Sequence, residues 1–242
     1  MLNWFKKNTS SEIPKLFTDI HSHLLPGIDD GVKSLQEAEE IILQFQELGY
    51  HKVITTPHIM QDHFRNTAEI ILGKLKDVRD HLIDRNIAME IDAAAEYYLD
   101  EHLIDLLERN KPLLTFGSNY LLFETNFLSE PLNLKEFIFL ATTKGYKPVL
   151  AHPERYAYLL GNIHKVQDLV DRGVLLQLNI GSLTGHYSKP IQNFAFKLID
   201  KGTIHLLGSD CHNFHHVQLI QKAQRSRYFK KALTLPLLNN TL

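Results

Sequence analysis

Two histidines separated by one serine follow a short apolar run in the segment FTDIHSHLLPGIDDG, at residues 17–31. Side chains on an extended backbone alternate between two faces, so His21 and His23 point the same way and could bind one metal ion. The pair alone is weak evidence, because the chain contains 14 histidines. A metal site is therefore predicted only if further ligands come from elsewhere in the sequence.

Further histidines and carboxylates lie at or just after apolar runs, in the segments TTPH, AAAEYYLD, LLFET, LAHPER and GSDCH. With the first segment they give nine candidate metal ligands: His21, His23, Asp30, His58, Glu96, Glu124, His152, Asp210 and His212. Any single one of these residues has a simpler interpretation as a helix cap or a solvated loop residue. Nine such residues, each at the end of an apolar run or in the loop that follows it, favour a metal site.

Nine ligands are too many for one ion, and bridging carboxylates would allow two or three ions to lie close together. Mixed imidazole and carboxylate donors suit manganese, iron or zinc. Such a cluster lowers the pKa of a bound water and neutralises an anionic group, which predicts hydrolysis of a phosphoester by a metal-bound hydroxide. We expect Asp210 to contribute to catalysis as well as to metal binding.

Two arginines are candidates for binding the phosphate. Arg155 lies three residues after His152, and its planar guanidinium can bind a phosphate through two parallel hydrogen bonds. An ion pair in an exposed loop is the simpler interpretation of Arg155. Arg65, in the segment QDHFRN, is the weaker candidate.

Seven apolar runs typical of buried strands alternate with helical patterns along the chain. The runs lie at residues 15–20, 52–56, 87–95, 119–124, 148–152, 174–180 and 203–208. Ser34 with Glu37, and Asn133 with Glu136, predict capping boxes at the starts of two of the helices. The alternation predicts a parallel sheet, and seven units without an obvious switch point favour a closed β/α barrel. The carboxyl ends of the strands meet on one face of such a barrel, so the candidate ligands would meet there.

The length of 242 residues, with 44% apolar and 22% charged residues, favours a single α/β domain. We expect an N-terminal extension at 1–14, the barrel at 15–228 and a C-terminal tail at 229–242. The net charge of −2 gives no basic surface for nucleic acid or for a membrane. The first residues contain no long apolar run, so neither a signal peptide nor a transmembrane helix is expected.

The single cysteine, Cys211, excludes an internal disulfide and predicts a reducing, cytoplasmic compartment. Thiol-dependent tyrosine phosphatases need a nucleophilic cysteine followed six positions later by a phosphate-binding arginine. The residue six positions after Cys211 is Val217. We therefore predict that Cys211 packs in the domain and takes no part in the chemistry.

The segments DIHSHLLPGIDDG, TPH, AAEYYLD, FET, AHPERY and GSDCHN occur in an order and spacing that resembles one known family. From about residue 17 to residue 214, the chain is similar to the PHP-domain protein tyrosine phosphatases of bacterial capsule and exopolysaccharide operons, the CpsB/CapC/YwqE group. The resemblance implies a distorted (β/α)7 barrel, similar to a TIM barrel, with three divalent ions and activation by manganese. It also implies that the substrate is the phosphorylated, tyrosine-rich tail of a partner autokinase that controls polysaccharide assembly.

The resemblance further implies how the nine ligands are shared among three ions. The first ion would be held by His21, His23, Glu96 and Asp210, the second by Glu96, Glu124 and His152, and the third by Asp30, His58 and His212. Members of the family often carry an arginine several residues after the D-x-H motif. Here none occurs before Arg225, and His215 or His216 are open substitutes.

Two alternatives to a tyrosine phosphatase stay open at this point. A phosphatase of histidinol phosphate, or of another small phosphomonoester, would use much the same ligands, and the GIDDG and HPER motifs disfavour it. A non-catalytic regulator of a kinase complex could keep the metal cluster as a scaffold, and the complete set of ligands disfavours that reading. The sequence leaves the oligomeric state undetermined.

Overall fold

The computed structural model describes residues 15–242, in which parallel strands alternate with helices. The strands are β1 (Thr18–Asp19), β2 (Lys52–Thr55), β3 (His58–Ile59), β4 (Glu90–Ala93), β5 (Glu96–Tyr98), β6 (Tyr120–Glu124), β7 (Lys147–Ala151), β8 (Leu175–Asn179) and β9 (Leu206–Gly208). The α-helices are α1 (Leu35–Glu47), α2 (Ala68–Asp84), α3 (Glu101–Glu108), α4 (Leu134–Thr143), α5 (Ile163–Asp171), α6 (Lys189–Lys201), α7 (Phe214–Gln224) and α8 (Arg227–Ala232).

The nine strand segments form a three-stranded sheet, β1-β2-β4, and a six-stranded sheet, β3-β5-β6-β7-β8-β9, and together occupy seven positions. Strands β2 and β3 are successive parts of one extended run, and β4 and β5 are successive parts of the next, so β2 pairs with β4 and β3 pairs with β5. All strand pairs are parallel and follow chain order. The prediction of a single α/β domain with parallel strands is confirmed.

The last strand position returns to the first. Ser22 and Cys211 form a parallel bridge, and the backbone N–H of Asp210 donates to the carbonyl of His21 at 2.7 Å. The pairing therefore runs from β1 through β9 and back to the residues that follow β1, which is consistent with the predicted barrel of seven units.

The strands are buried on both faces because successive side chains enter two different clusters. In β6, Leu122 packs with Val149 and Leu206 in a small inner cluster. Its neighbours Leu121 and Phe123 belong instead to the larger cluster shared with the helices. Continuous apolar runs are required for strands that are covered on both sides, which is why the seven runs were recognisable in the sequence.

Of the two predicted capping boxes, one is confirmed in its main contact and the other is wrong. The Ser34 side chain accepts from the backbone N–H of Glu37 at 3.1 Å, and the Glu37 carboxylate accepts from the N–H of Lys33 at 2.8 Å. Helix α4 begins after Asn133, but that side chain makes no capping hydrogen bond among the described residues. The reason is its backbone, with φ −90° and ψ 6°, because a residue whose side chain caps a helix typically has an extended backbone.

The C-terminal residues close the amino end of the strands. The Asn239 side chain donates to the carbonyls of Thr18 and Leu207 at 3.0 and 2.7 Å, and it accepts from the N–H of Leu207 at 2.9 Å. The boundary predicted between residues 228 and 229 falls inside α8. The predicted extension at 1–14 lies outside the described residues. Within residues 15–242, no helix has both the length and the apolar character needed to cross a membrane.

Candidate metal centre

A pocket of about 420 Å³ opens at the carboxyl ends of the strands. Its lining consists of Asp30, His58, Glu96, Glu124, Phe127, His152, Arg155, Tyr187, Asp210, His212, Asn213 and His216. Seven of the nine candidate ligands are in this lining. The other two, His21 and His23, are fully buried and contact the lining residue Glu96. The nine side chains that the sequence singled out therefore come together in one place.

The buried carboxylate of Glu96 lies at the centre of the group. Its Oε2 atom is 3.1 Å from His21 Nε2, 3.5 Å from His23 Nε2 and 3.2 Å from His58 Nδ1. Its Oε1 atom is 3.2 Å from His152 Nε2. One carboxylate thus faces four imidazoles from three different parts of the chain, a position from which it could bridge two ions.

Three sets of ligand atoms lie close enough together to hold an ion, with all atoms of a set within 4.8 Å of one another. The sets are His23, Asp30, His58 and His212; His21, His23 and Glu96; and His58, Glu96 and Glu124. The resemblance implies that His23 binds one ion and that His58 shares an ion with Asp30 and His212. In the structure, His23 belongs to two of the sets, and His58 also belongs to a set with Glu124. His152 Nε2 also lies 3.9 Å from Glu124 Oε2. Mixed imidazole and carboxylate donors at these separations fit divalent transition-metal ions.

Two side chains that the sequence analysis missed orient the buried histidines. Asp29 Oδ2 lies 2.8 Å from His23 Nδ1, and Gln177 Oε1 lies 2.7 Å from His21 Nδ1. Each contact engages the Nδ1 atom of the ring and leaves Nε2 directed at Glu96, as is usual for histidines that bind metals. The available signals were the adjacent pair Asp29 and Asp30, and a single polar residue, Gln177, within the apolar strand LLQLN.

The pKa values of Glu96, Asp30 and Asp210 lie below the ordinary values, because neighbouring histidines favour the ionised carboxylates. Burial lowers the pKa of His21, but the charges of Glu96 and Asp210 outweigh burial and raise it to about 9. Burial likewise opposes the charge on His58, and Glu96 and Glu124 raise its pKa to about 10. Burial favours the neutral form of Glu96, yet the histidines around it hold its pKa well below the ordinary value. A concentration of ionised carboxylates of this kind favours binding of divalent cations.

Two of the candidate ligands have backbone φ angles in the left-handed region, which residues other than glycine rarely adopt. The φ angles are 37° at His152 and 51° at Asp210. This conformation costs on the order of 1–3 kcal/mol for such residues and is concentrated at functional sites. In both cases it occurs where the chain leaves a strand, and both side chains line the pocket.

Two glycines allow the close packing beneath the pocket. A Cβ atom at Gly31 would lie 2.1 Å from the carbonyl oxygen of His23. A Cβ atom at Gly208 would lie 2.5 Å from Gln177 Nε2 and 2.7 Å from His21 Cβ. The glycine that ends the GIDDG motif is therefore required for the position of His23, and Gly208 for that of His21.

Arg155 lies in the pocket and not in an exposed loop. Its Nη1 atom donates to Asp210 Oδ2 at 2.7 Å. The Cζ atom lies 4.8 Å from the ring centre of Phe127 and 4.4 Å from that of Tyr187, within the range of cation–π contacts. The other candidate, Arg65, donates to the carbonyl of Gln61 and is absent from the pocket lining.

A buried network holds the same oxygen of Asp210 that accepts from Arg155. Asn179 Nδ2 donates to Asp210 Oδ2 at 2.8 Å and to the Tyr187 hydroxyl at 3.1 Å. Glu154, fully buried, accepts from the backbone N–H of Asn179 at 3.0 Å and from the hydroxyl of Ser182 at 2.7 Å. Burial raises the pKa of Glu154 to about 7. The sequence analysis missed these residues, and the signal for Glu154 was its place in HPER.

The remaining residues singled out from the sequence are Cys211, His215 and His216. Cys211 is fully buried, and burial raises the pKa of its thiol well above the ordinary value, which disfavours the nucleophilic thiolate. His216 lines the pocket, with Nδ1 3.0 Å from the carbonyl of Asp210. His215 is not part of that lining. Of the two open substitutes for the missing arginine, only His216 lines the pocket.

Comparisons with known proteins agree with this geometry. YwqE from Bacillus subtilis (strain 168), a tyrosine-protein phosphatase, is 28% identical over 195 residues, covering 81% of this chain and 77% of that protein. CpsB from Streptococcus pneumoniae, also a tyrosine-protein phosphatase, is 29% identical over 210 residues, covering 81% of this chain and 82% of that protein.

Among solved structures, one chain from the crystal structures of YwqE and CpsB, metal-dependent tyrosine phosphatases, matches with a TM-score of 0.80 at 26% identity. The match covers 90% of each chain. Histidinol phosphate phosphatase from Lactococcus lactis, solved with zinc, L-histidinol and phosphate, matches with a TM-score of 0.51 at 13% identity, which shows a shared fold alone. It covers 87% of this chain and 94% of that one.

The family model for capsular polysaccharide synthesis, CpsB/CapC, matches residues 17–232. This range includes all nine candidate ligands and Arg155. It also reaches beyond residue 214, where the resemblance seen in the sequence ended. The chain therefore belongs to the CpsB/CapC family.

Proposed function

We propose that this protein hydrolyses phosphotyrosine in a protein substrate and that it needs two or three divalent metal ions to do so. The observation that carries the proposal is that Asp210 contacts Arg155 through one carboxylate oxygen and faces the buried histidines with the other. The candidate phosphate-binding group and the candidate metal ligands thus lie together in one pocket. The tyrosine phosphatases among the relatives support the same activity.

The proposed metal ligands are the nine residues His21, His23, Asp30, His58, Glu96, Glu124, His152, Asp210 and His212. Manganese is the expected metal, with iron and zinc as alternatives that the same donors could hold. When bound, the ions would supply an activated water and neutralise the charge of the phosphate.

The protein's own groups would position the substrate and the ligands. Arg155 uses Nη1 for Asp210, which leaves the rest of its guanidinium edge to bind phosphate oxygens. The rings of Phe127 and Tyr187 pack against the guanidinium and would limit its movement in the pocket. Asp29 and Gln177 hold the imidazoles of His23 and His21 in a fixed orientation.

The proposed substrate is the tyrosine-rich tail of a bacterial autokinase that regulates capsule or exopolysaccharide synthesis, in the cytoplasm. Membership of the CpsB/CapC family supports the connection to capsule synthesis. The small-metabolite alternative has less support, because the histidinol phosphate phosphatase shares the fold at a TM-score of 0.51, against 0.80 for the tyrosine phosphatases.

The test is a comparison of kcat/KM on a tyrosine-rich phosphopeptide and on histidinol phosphate, using the full chain loaded with manganese. We expect a strong preference for the phosphopeptide. A Glu96→Gln preparation, purified in parallel, measures the activity of contaminating phosphatases. A preference for histidinol phosphate would remove the tyrosine phosphatase assignment, and activity equal to that of Glu96→Gln on both substrates would favour a non-catalytic regulator.

A further inference from the structure

Phe127 is the exposed aromatic side chain in a pocket whose lining is otherwise mostly polar. Its exposed fraction is 37%. Tyr187, the other ring that covers the Arg155 guanidinium, is only partly exposed, and its hydroxyl is bonded to Asn179. Of the two rings beside Arg155, Phe127 therefore has the larger free apolar surface to offer a bound molecule.

The ring of Phe127 is held in place by the protein on its inner side. It stacks on His152 with 5.6 Å between ring centroids and on Tyr156 with 5.4 Å. The carbonyl of Phe127 accepts from the N–H of Ala157 at 2.7 Å. The Asn126 side chain accepts from the N–H of Leu128 at 2.8 Å, which fixes the turn that follows the ring. An aromatic group fixed in this way can contact a ligand with little loss of conformational entropy.

The distance from Phe127 to Arg155 indicates where the Phe127 ring lies relative to a phosphate bound at Arg155. The ring centre lies 4.8 Å from Arg155 Cζ, so a phosphate bound at the guanidinium edge has Phe127 beside it. The organic group of the ester must extend from the phosphate toward the pocket opening. An aryl group can make an offset or edge contact with Phe127, whereas a short alkyl group presents no ring for this contact.

We propose that Phe127 determines specificity at this site by binding the aromatic ring of the phosphotyrosine and so favouring aryl over alkyl phosphoesters. This inference rests on the proposed phosphatase function. The metal ligands and Arg155 would bind the ions and the phosphate, and Phe127 would select the leaving group.

The experiment compares two peptides of identical sequence, one with phosphotyrosine and one with phosphoserine, using full-length manganese-loaded protein. In Phe127→Ala, the ratio of kcat/KM for the two peptides should fall about three- to tenfold, the size of one aromatic pair contact. Phe127→Tyr should keep the ratio, because it keeps the ring. The matched control is Phe139→Ala, which removes a 71% exposed phenylalanine of α4 outside the pocket lining.

A binding measurement supplies a readout that is independent of turnover. Calorimetric titration with phenylphosphonate and with methylphosphonate should show that Phe127→Ala weakens binding of the aryl compound more than that of the alkyl compound. Equal losses for both compounds, or for both peptides, would mean that Phe127 only supports Arg155 and His152, and would overturn the proposal. A wild-type protein without any preference for phosphotyrosine would instead reject the proposed function itself, and the specificity role with it.

Discussion

Arg155 Nη1 lies 2.7 Å from one carboxylate oxygen of Asp210, while the other oxygen lies 3.5 Å from the Nε2 atoms of both His21 and His23. A single carboxylate thus contacts the candidate phosphate-binding group and the candidate metal ligands at once. Because an arginine cannot bind a cation, this arrangement separates two roles that mutagenesis can distinguish.

Replacing Arg155 by alanine should reduce turnover without removing metal. We expect a loss of about 2–4 kcal/mol of transition-state stabilisation, the range observed when one fixed charge-stabilising donor is removed. Steady-state kinetics on a phosphotyrosine peptide and elemental analysis of the same preparation provide the measurement. Arg172→Ala, which removes an exposed arginine paired with Asp168, is the control. Undiminished kcat/KM in Arg155→Ala would contradict a phosphate-binding role.

Replacing Glu96 by glutamine should remove metal and activity together. The substitution keeps the shape of the side chain but removes the charge that faces His21, His58 and His152. We expect the metal content to fall by at least one ion per chain and activity to fall to background. Full metal content in the purified variant would exclude Glu96 from the ligands.

Purified wild-type protein should contain two to three transition-metal ions per chain. Chelation should abolish activity and lower the melting temperature, because a bound ion stabilises the folded state that holds it. Elemental analysis, activity and thermal melting before and after chelation, and after manganese is restored, give the measurement. Full activity with less than one ion per chain would refute the cluster.

Replacing Cys211 by serine should preserve most of the turnover. The thiol is fully buried, and the residue six positions later is Val217, so neither a reactive thiolate nor its arginine partner is provided. Vanadate should still inhibit the variant, since its inhibition requires no thiol oxidation. Loss of activity with metal content and melting temperature intact would return Cys211 to the mechanism.

Replacing Asp29 by asparagine should weaken metal binding, although Asp29 is not a proposed ligand. Asp29 lies 2.8 Å from His23 Nδ1, and the loss of such an orienting carboxylate typically costs 10- to 100-fold in metal affinity. Titration of chelated protein with manganese measures the affinity. Asp105→Asn, at a partly exposed position paired with Arg109, is the control and should bind manganese as the wild type does.

The nine candidate ligands were predictable because each follows a local rule. Apolar runs identify buried strands, and a residue at the carboxyl end of a parallel strand must lie at the same edge as the others. His21 and His23 needed only the period of two along an extended backbone. Local rules failed where the backbone departed from the expected conformation, as at Asn133, whose side chain makes no capping bond in the described residues.

The partners of those ligands were decided by the tertiary structure. Arg155 meets Asp210 across 55 residues, and Gln177 meets His21 across 156. The Arg155 contact spans the neighbouring strands β7, β8 and β9, and the Gln177 contact depends on the return of the last strand to the first, which brings β8 within reach of β1. Sequence spacing carries no information on which side chains are neighbours after such a closure. The sequence by itself therefore determined which residues reach the carboxyl face, whereas packing between the strands decided which of them touch and in which orientation.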